Sequence, residues 1–296
     1  MKRSSAAVAI LLLTVLGALA GAGLRIYQRT VCMTDTGLIV PGSRILYAML
    51  GFSVVGIAVI ALFCRFLDRA PGDERVIAPT PLFLFFYLAA AVAVFYGSLR
   101  RFLNGDPLYL YAGGMVAALL LAVTALLYGR RSKLAFWLAL LPCVFLAVQL
   151  IEDFKQWSTD PLVIDFCFRL LSQVCCLLAL FQLSGFLLGV GRRRMTVFWS
   201  VGAVVFTAMT VPDCIYDPAL TGSVVLQGGV ALWCACHALR ILRAKGEPAA
   251  LSEDDAPNDD ASGEDAAPIE KNAAPDGLGI PKASEDPTQA EDPFAL

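Results

Sequence analysis

Histidine and charge are both scarce in this chain. His237 is the only histidine, and 16% of the 296 residues are charged, against roughly a quarter in an ordinary soluble domain. A single imidazole cannot anchor a multi-histidine metal shell. Its neighbours Cys234 and Cys236 add little, because helix positions two apart point to different faces and no second Cys pair completes a zinc set. No metal and no cofactor is expected. Signatures of chemistry are absent too: there is no GxxxxGK followed by Ser or Thr, no GxGxxG, no HExxH and no GxSxG. The phosphate cradle, the zinc-protease helix and the hydrolase elbow are thereby excluded. The loops are too short for a separate catalytic domain, so the sequence argues against an enzyme. No nucleic-acid partner is expected.

What is abundant is apolar. The chain is 58% hydrophobic, with a mean hydropathy of +0.69. A bilayer core about 30 Å thick takes roughly 20 apolar residues as a helix, and backbone groups in lipid must be bonded within the segment. Eight runs qualify: Ser5–Leu24, Ile45–Cys64, Leu82–Leu99, Leu108–Tyr128, Leu134–Ile151, Leu162–Val190, Thr196–Tyr216 and Ser223–Leu242. The expected fold is all-α, a polytopic transmembrane bundle of about eight helices in consecutive hairpins. It occupies residues 1–245, followed by a disordered acidic tail at 246–296. Membrane lipids are its first expected partners.

Basic residues set the expected orientation. With the N-terminus inside, 14 Lys and Arg fall on the inner side and 6 on the outer, the pair Arg100–Arg101 being the main exception. Both termini are expected in the cytoplasm. The absence of organelle-targeting features points to a prokaryotic plasma membrane. Ala18-Leu19-Ala20 is a plausible signal-peptidase site, but residues 4–24 carry no charge and are longer than a signal peptide's apolar region of about 7–15 residues. A retained first helix is the preferred reading.

An internal repeat is visible. GRRSKLAFW at 129–137 recurs as GRRRMTVFW at 191–199, identical at five of nine positions, and makes the later hairpins parallel repeats. Asp-Pro pairs stand at 106–107, 160–161 and 217–218. Aspartate can accept from free N–H groups at a helix start, and proline at the first position has no N–H to satisfy. Asp106, Asp160 and Asp217 are therefore read as helix caps. A carboxylate ring on the outer side is the alternative.

One apolar run carries opposite charges inside it. In TDPLVIDFCFRLLSQVCC, at 159–176, Asp165, Arg169 and Gln173 are spaced i, i+4, i+8 and form one stripe. Residues 170–190 are uncharged and long enough to span alone. The preferred reading thus places Asp165 at the interface with Arg169 snorkelling outward. The competing reading turns Arg169 and Gln173 inward, against Gln149, Glu152 and Asp153, as a site for a small polar or anionic ligand.

The remaining features read as packing. Most cysteines fall within the spans, whereas Cys32 and Cys214 sit on the same expected outer side, where a disulfide is chemically allowed. Gly17 and Gly21 form a GxxxG, and Gly113–Gly114 and Gly228–Gly229 allow close helix contact. Gln227 is expected to bond across helices, and His237 to anchor at the inner interface beside Arg240. The tail holds 14 acidic and 2 basic residues; such composition favours disorder and suits a cytoplasmic protein partner. The functional expectation is a non-enzymatic membrane component, scaffold or sensor. The alternative is a small-solute or lipid transporter with a polar site between the fifth and sixth helices.

Overall fold

The computed structural model describes residues 3–33, 44–67, 71–72, 80–128, 133–158 and 163–244. The acidic segment 246–296 lies outside them. Nearly everything described is helix: α1 (Arg3–Val31), α2 (Ile45–Cys64), α3 (Pro81–Leu103), α4 (Leu108–Leu127), α5 (Lys133–Trp157), α6 (Val163–Leu187), α7 (Arg193–Thr210), the short α8 (Asp213–Tyr216) and α9 (Thr221–Arg243). A 3-10 turn at Pro218–Leu220 links α8 to α9. A two-residue ladder pairs β1 (Pro71–Gly72) with β2 (Gly191–Arg192). Among the described residues, eight helices are long and apolar enough to cross a membrane. This is a polytopic helical membrane protein.

Three helices outrun their apolar stretches at the same end of the bundle. α1 continues to Val31, α3 to Leu103 and α5 to Trp157, each past a charged residue that interrupts the hydropathy: Arg25, Arg101 and Asp153. All three charges are buried. A helix extends through a charge when a neighbouring helix supplies the counter-charge, and that occurs here. The alanines of the candidate cleavage motif, Ala18 and Ala20, lie in the middle of the continuous α1.

Small residues set the closest helix approaches. Gly97 of α3 lies against the backbone of α9: a Cβ added there would come within 2.6 Å of the Gly222 carbonyl oxygen and the Leu226 nitrogen. Lower on the same interface, a Cβ at Gly229 would meet the Ala90 carbonyl oxygen at 2.8 Å. Gly17 and Gly21 seat α1 on Val205 and Met209 of α7. Gly228, by contrast, faces open space. Without a strong hydrophobic drive between helices in lipid, such close backbone contact is what holds a bundle together. Gly97→Ala should lower the thermal midpoint in mild detergent, since overpacking costs about 1–3 kcal/mol. Gly228→Ala should leave it unchanged. Equal midpoints for the two variants would contradict the packing described.

The packed region runs through α3, α6, α7 and α9. α2 touches only α1 and α7 substantially, leaving an apolar cavity of about 300 Å³ among the three, lined in part by Leu16, Phe52, Gly56 and Val205.

Candidate functional site: a buried polar core

Four helices bring charged and amide side chains together at the end of the bundle where α3 and α5 finish and α6 and α9 begin. Arg169 of α6 is 6% exposed, and its Nη2 donates to Ser223 Oγ of α9 at 2.6 Å. Ser223 spends its own proton on the Leu220 carbonyl at 3.1 Å, which leaves its lone pair for the guanidinium. Asp153 of α5 is 2% exposed. Its Oδ2 accepts a hydrogen bond from Gln173 Nε2 and lies 3.7 Å from Arg169 Nη2. Its Oδ1 is 3.8 Å from Arg101 Nη2 of α3. Arg101 Nε donates to Asp106 Oδ2 at 2.6 Å, with the Asp106 side chain one-third exposed at the rim.

A second layer lies one helical turn deeper, about 6 Å along each axis. Gln149 is on the face of α5 that carries Asp153, Gln173 follows Arg169 on α6, and Gln227 follows Ser223 on α9. All three are buried. Gln149 and Gln227 have no hydrogen-bond partner for either amide atom, and Gln173 Oε1, Arg169 Nε, Arg169 Nη1 and Arg101 Nη1 have none either. Buried polar atoms are normally satisfied, at a cost of about 1–3 kcal/mol each when they are not. So many open atoms on adjoining faces mark a place suited to polar company that the described residues do not supply.

A separate ion-paired cluster joins α1 to α8. Arg25 grips Asp213 through two contacts, Nε to Oδ1 at 2.8 Å and Nη2 to Oδ2 at 2.9 Å, while its Nη1 donates to Gln28 Oε1 at 2.8 Å. Arg29 Nε adds a third contact to Asp213 Oδ1 at 3.1 Å. The Asp213 side chain is only 4% exposed. This fork-to-fork geometry fixes the end of α1 against the end of α7.

The opposite end of the bundle carries an aromatic box. Tyr87 of α3 stacks near Trp233 and His237 of α9, with ring centroids 4.8 and 4.5 Å away, and Tyr128 closes the far side at 5.2 Å from His237. His237 is fully buried, and its Nδ1 bonds the Trp233 carbonyl at 3.0 Å. The expected interfacial anchor is instead part of the packed interior, because three large rings around it shut out water.

The sequence-derived candidates divide accordingly. Gln149, Asp153, Arg169 and Gln173 are brought together. Arg169 does not snorkel outward; Ser223 and Asp153 hold it within the bundle. Glu152 faces away and pairs with Lys155 at 3.4 Å. The Asp165 side chain lies outside the described residues, as does Asp160. Asp106 does not cap α4, whose start makes no side-chain cap bond, because Arg101 takes its carboxylate. Asp217 accepts from the Ala219 N–H at 3.0 Å at the start of the 3-10 turn. Among the described residues Gln227 has no hydrogen-bond partner, so the expected bond across helices is not made there. Cys32 and Cys214 are both free thiols, half-buried, so electrophoretic mobility should be the same with and without reductant. A shift abolished by Cys32→Ser would contradict this arrangement.

Sequence reasoning missed Arg25, Gln28, Arg101, Asp213 and Ser223. Arg25, Gln28 and Arg29 at i, i+3, i+4 form one helix face, a signal that a tally of loop charges passes over. Among the described residues no group of His, Cys, Asp and Glu is arranged to hold a metal ion. Comparison with protein families, with curated proteins and with solved structures gives no match in any of the three.

Proposed function

We propose that the protein is a non-enzymatic, sensor-type component of a plasma membrane. Its polar core among α3, α5, α6 and α9 takes a small polar solute from the outer side. One observation carries this reading: Gln149 and Gln227 are fully buried beside an ion-paired layer, yet none of their amide atoms has a partner. A solute with polar atoms would supply the missing bonds and couple four helices in one event. Loss or gain of that occupant would shift the balance between helix arrangements, as a sensor requires.

The orientation rests on the distribution of Lys and Arg, which favours cytoplasmic termini. The acidic segment 246–296 is then placed to meet a cytoplasmic protein partner, its surplus of carboxylates favouring a basic surface. Membrane lipids complete the surroundings.

Transport is the second reading. Polar groups reappear at the far end of α3 and α9, where Tyr87 Oη and His237 Nε2 are buried without a hydrogen-bond partner among the described residues. Val94 and Val230 lie between the two polar zones and are themselves buried, so the path is interrupted by an apolar layer. That interruption favours the sensor.

Native mass spectrometry of the full chain released from mild detergent tests the solute-binding reading. The expected spectrum shows a small-molecule mass increment on the wild type that disappears in the Gln149→Leu/Gln227→Leu double variant. A bare chain in both samples would refute it.

A further inference from the structure

We infer that the occupant of the polar core is a small monovalent anion, of the size of chloride or formate, gripped by the Arg169 guanidinium. This rests on the solute-binding reading and narrows it to a chemical class.

The balance of open atoms points to an acceptor-rich guest. Five nitrogen atoms lack partners: Arg169 Nε and Nη1, Arg101 Nη1, and the amide nitrogens of Gln149 and Gln227. Against them stand three amide oxygens, so open donors outnumber open acceptors. Guanidinium groups cannot shed their protons to lower the cost of burial. Among the described residues, the buried carboxylate that faces both Arg169 and Arg101 is that of Asp153, which is already committed through Oδ2 to Gln173. The distances from Asp153 to Arg169 and Arg101, 3.7 and 3.8 Å, are those of ion pairs without a hydrogen bond. Arg169 is thus a buried cation whose one hydrogen bond goes to a neutral hydroxyl.

Placement fixes the size. Ser223 accepts from Nη2, the nitrogen shared by both donor edges of the guanidinium, and leaves Nε on one edge and Nη1 on the other as open donors. Gln227 and Gln149, one turn deeper on the faces of Ser223 and Asp153, provide amide N–H groups beneath. The backbone contact of Gly97 with Leu226 keeps α3 and α9 close at this level and excludes a bulky guest. With Asp106 on Arg101 and Asp153 between the two guanidinium groups the four charges balance, so the guest is held by the open donors around Arg169 and not by a surplus of positive charge.

The test uses the full chain in mild detergent, dialysed into sodium gluconate, a bulky anion too large for the core. Chloride or formate is then substituted at constant ionic strength while thermal unfolding is followed. The expected result is a saturable rise of several degrees, the size expected for a ligand at about 100 times its Kd. Arg169→Gln should abolish the rise. Should that variant fail to accumulate, Gln227→Leu should move the midpoint anion concentration up by about tenfold, the equivalent of one lost hydrogen bond. An equal rise in wild type and both variants would mean a surface salt effect and overturn the inference. No rise with either anion, but one with glycine or glycerol that Gln227→Leu abolishes, would overturn the anion and leave the solute-binding reading standing. No rise with any of these solutes would overturn both.

Discussion

Asp213→Asn should destabilise the protein by about 3–5 kcal/mol, the cost of breaking a buried ion pair by removing one partner. Asp213 accepts two contacts from Arg25 and one from Arg29, and Arg25 is only 1% exposed. The neutral amide keeps the shape but turns one acceptor into a donor pointed at a guanidinium. At roughly 2–4 °C per kcal/mol for a chain of this size, the thermal midpoint in mild detergent should fall on the order of 10 °C. Arg25→Met combined with Asp213→Leu should recover much of the loss, because the cost lies in the stranded charge more than in the absent pair. Asp217→Asn, at an exposed turn, is the control and should change little. A fall of a degree or two for Asp213→Asn would mean that water reaches Arg25.

Asp153→Asn should be nearly as damaging, by a different route. Its carboxylate is the one buried anion facing both Arg169 and Arg101, and it also fixes Gln173. Removing its charge leaves two guanidinium groups facing each other with Asp106 as the nearer counter-charge, at a cost again of about 3–5 kcal/mol. Arg169→Gln in the same chain should cost less than the sum of the single changes, with a coupling of about 1–3 kcal/mol between contacting residues. Strict additivity would show that Asp153 and Arg169 do not sense one another. Glu152→Gln, one residue away and facing the exposed Lys155 and Tyr109, should be close to neutral, as surface pairs are.

Those two residues also show what the sequence can convey. The spans themselves are legible, because 20 apolar residues in a row have no other stable use. The boundaries of α1, α3 and α5 are not, since the apolar runs stop at Arg25, Arg100 and Glu152 while the helices continue through them and bury Arg25, Arg101 and Asp153. A charge in a span means an edge when it is unpaired and an interior when it is paired, and pairing is a property of the fold. The stripe of Arg169 and Gln173, and the facing positions of Gln149 and Asp153, could be read from i,i+4 spacing. That Arg101 and Ser223 complete the core could not, because they come from helices distant in the chain. Asp106 illustrates the converse: its position before Pro107 fits a cap, yet a nearby arginine outcompetes a backbone N–H for its carboxylate, as charged donors do. His237 likewise sits near a span end in sequence but inside an aromatic box in space, because α9 extends to Arg243 and its last turns remain packed.

Four helices enclose a polar core one to two turns below the end of the bundle, and its open donors and acceptors call for a small polar guest. A density map of the wild-type protein in lipid nanodiscs, at a resolution that shows ordered solvent, tests it most directly. The expected map has Arg169 turned inward on Ser223 and compact non-protein density touching its Nε or Nη1, above Gln149 and Gln227. Arg169 extended toward the headgroups, with apolar side chains closing the space it leaves, would contradict it.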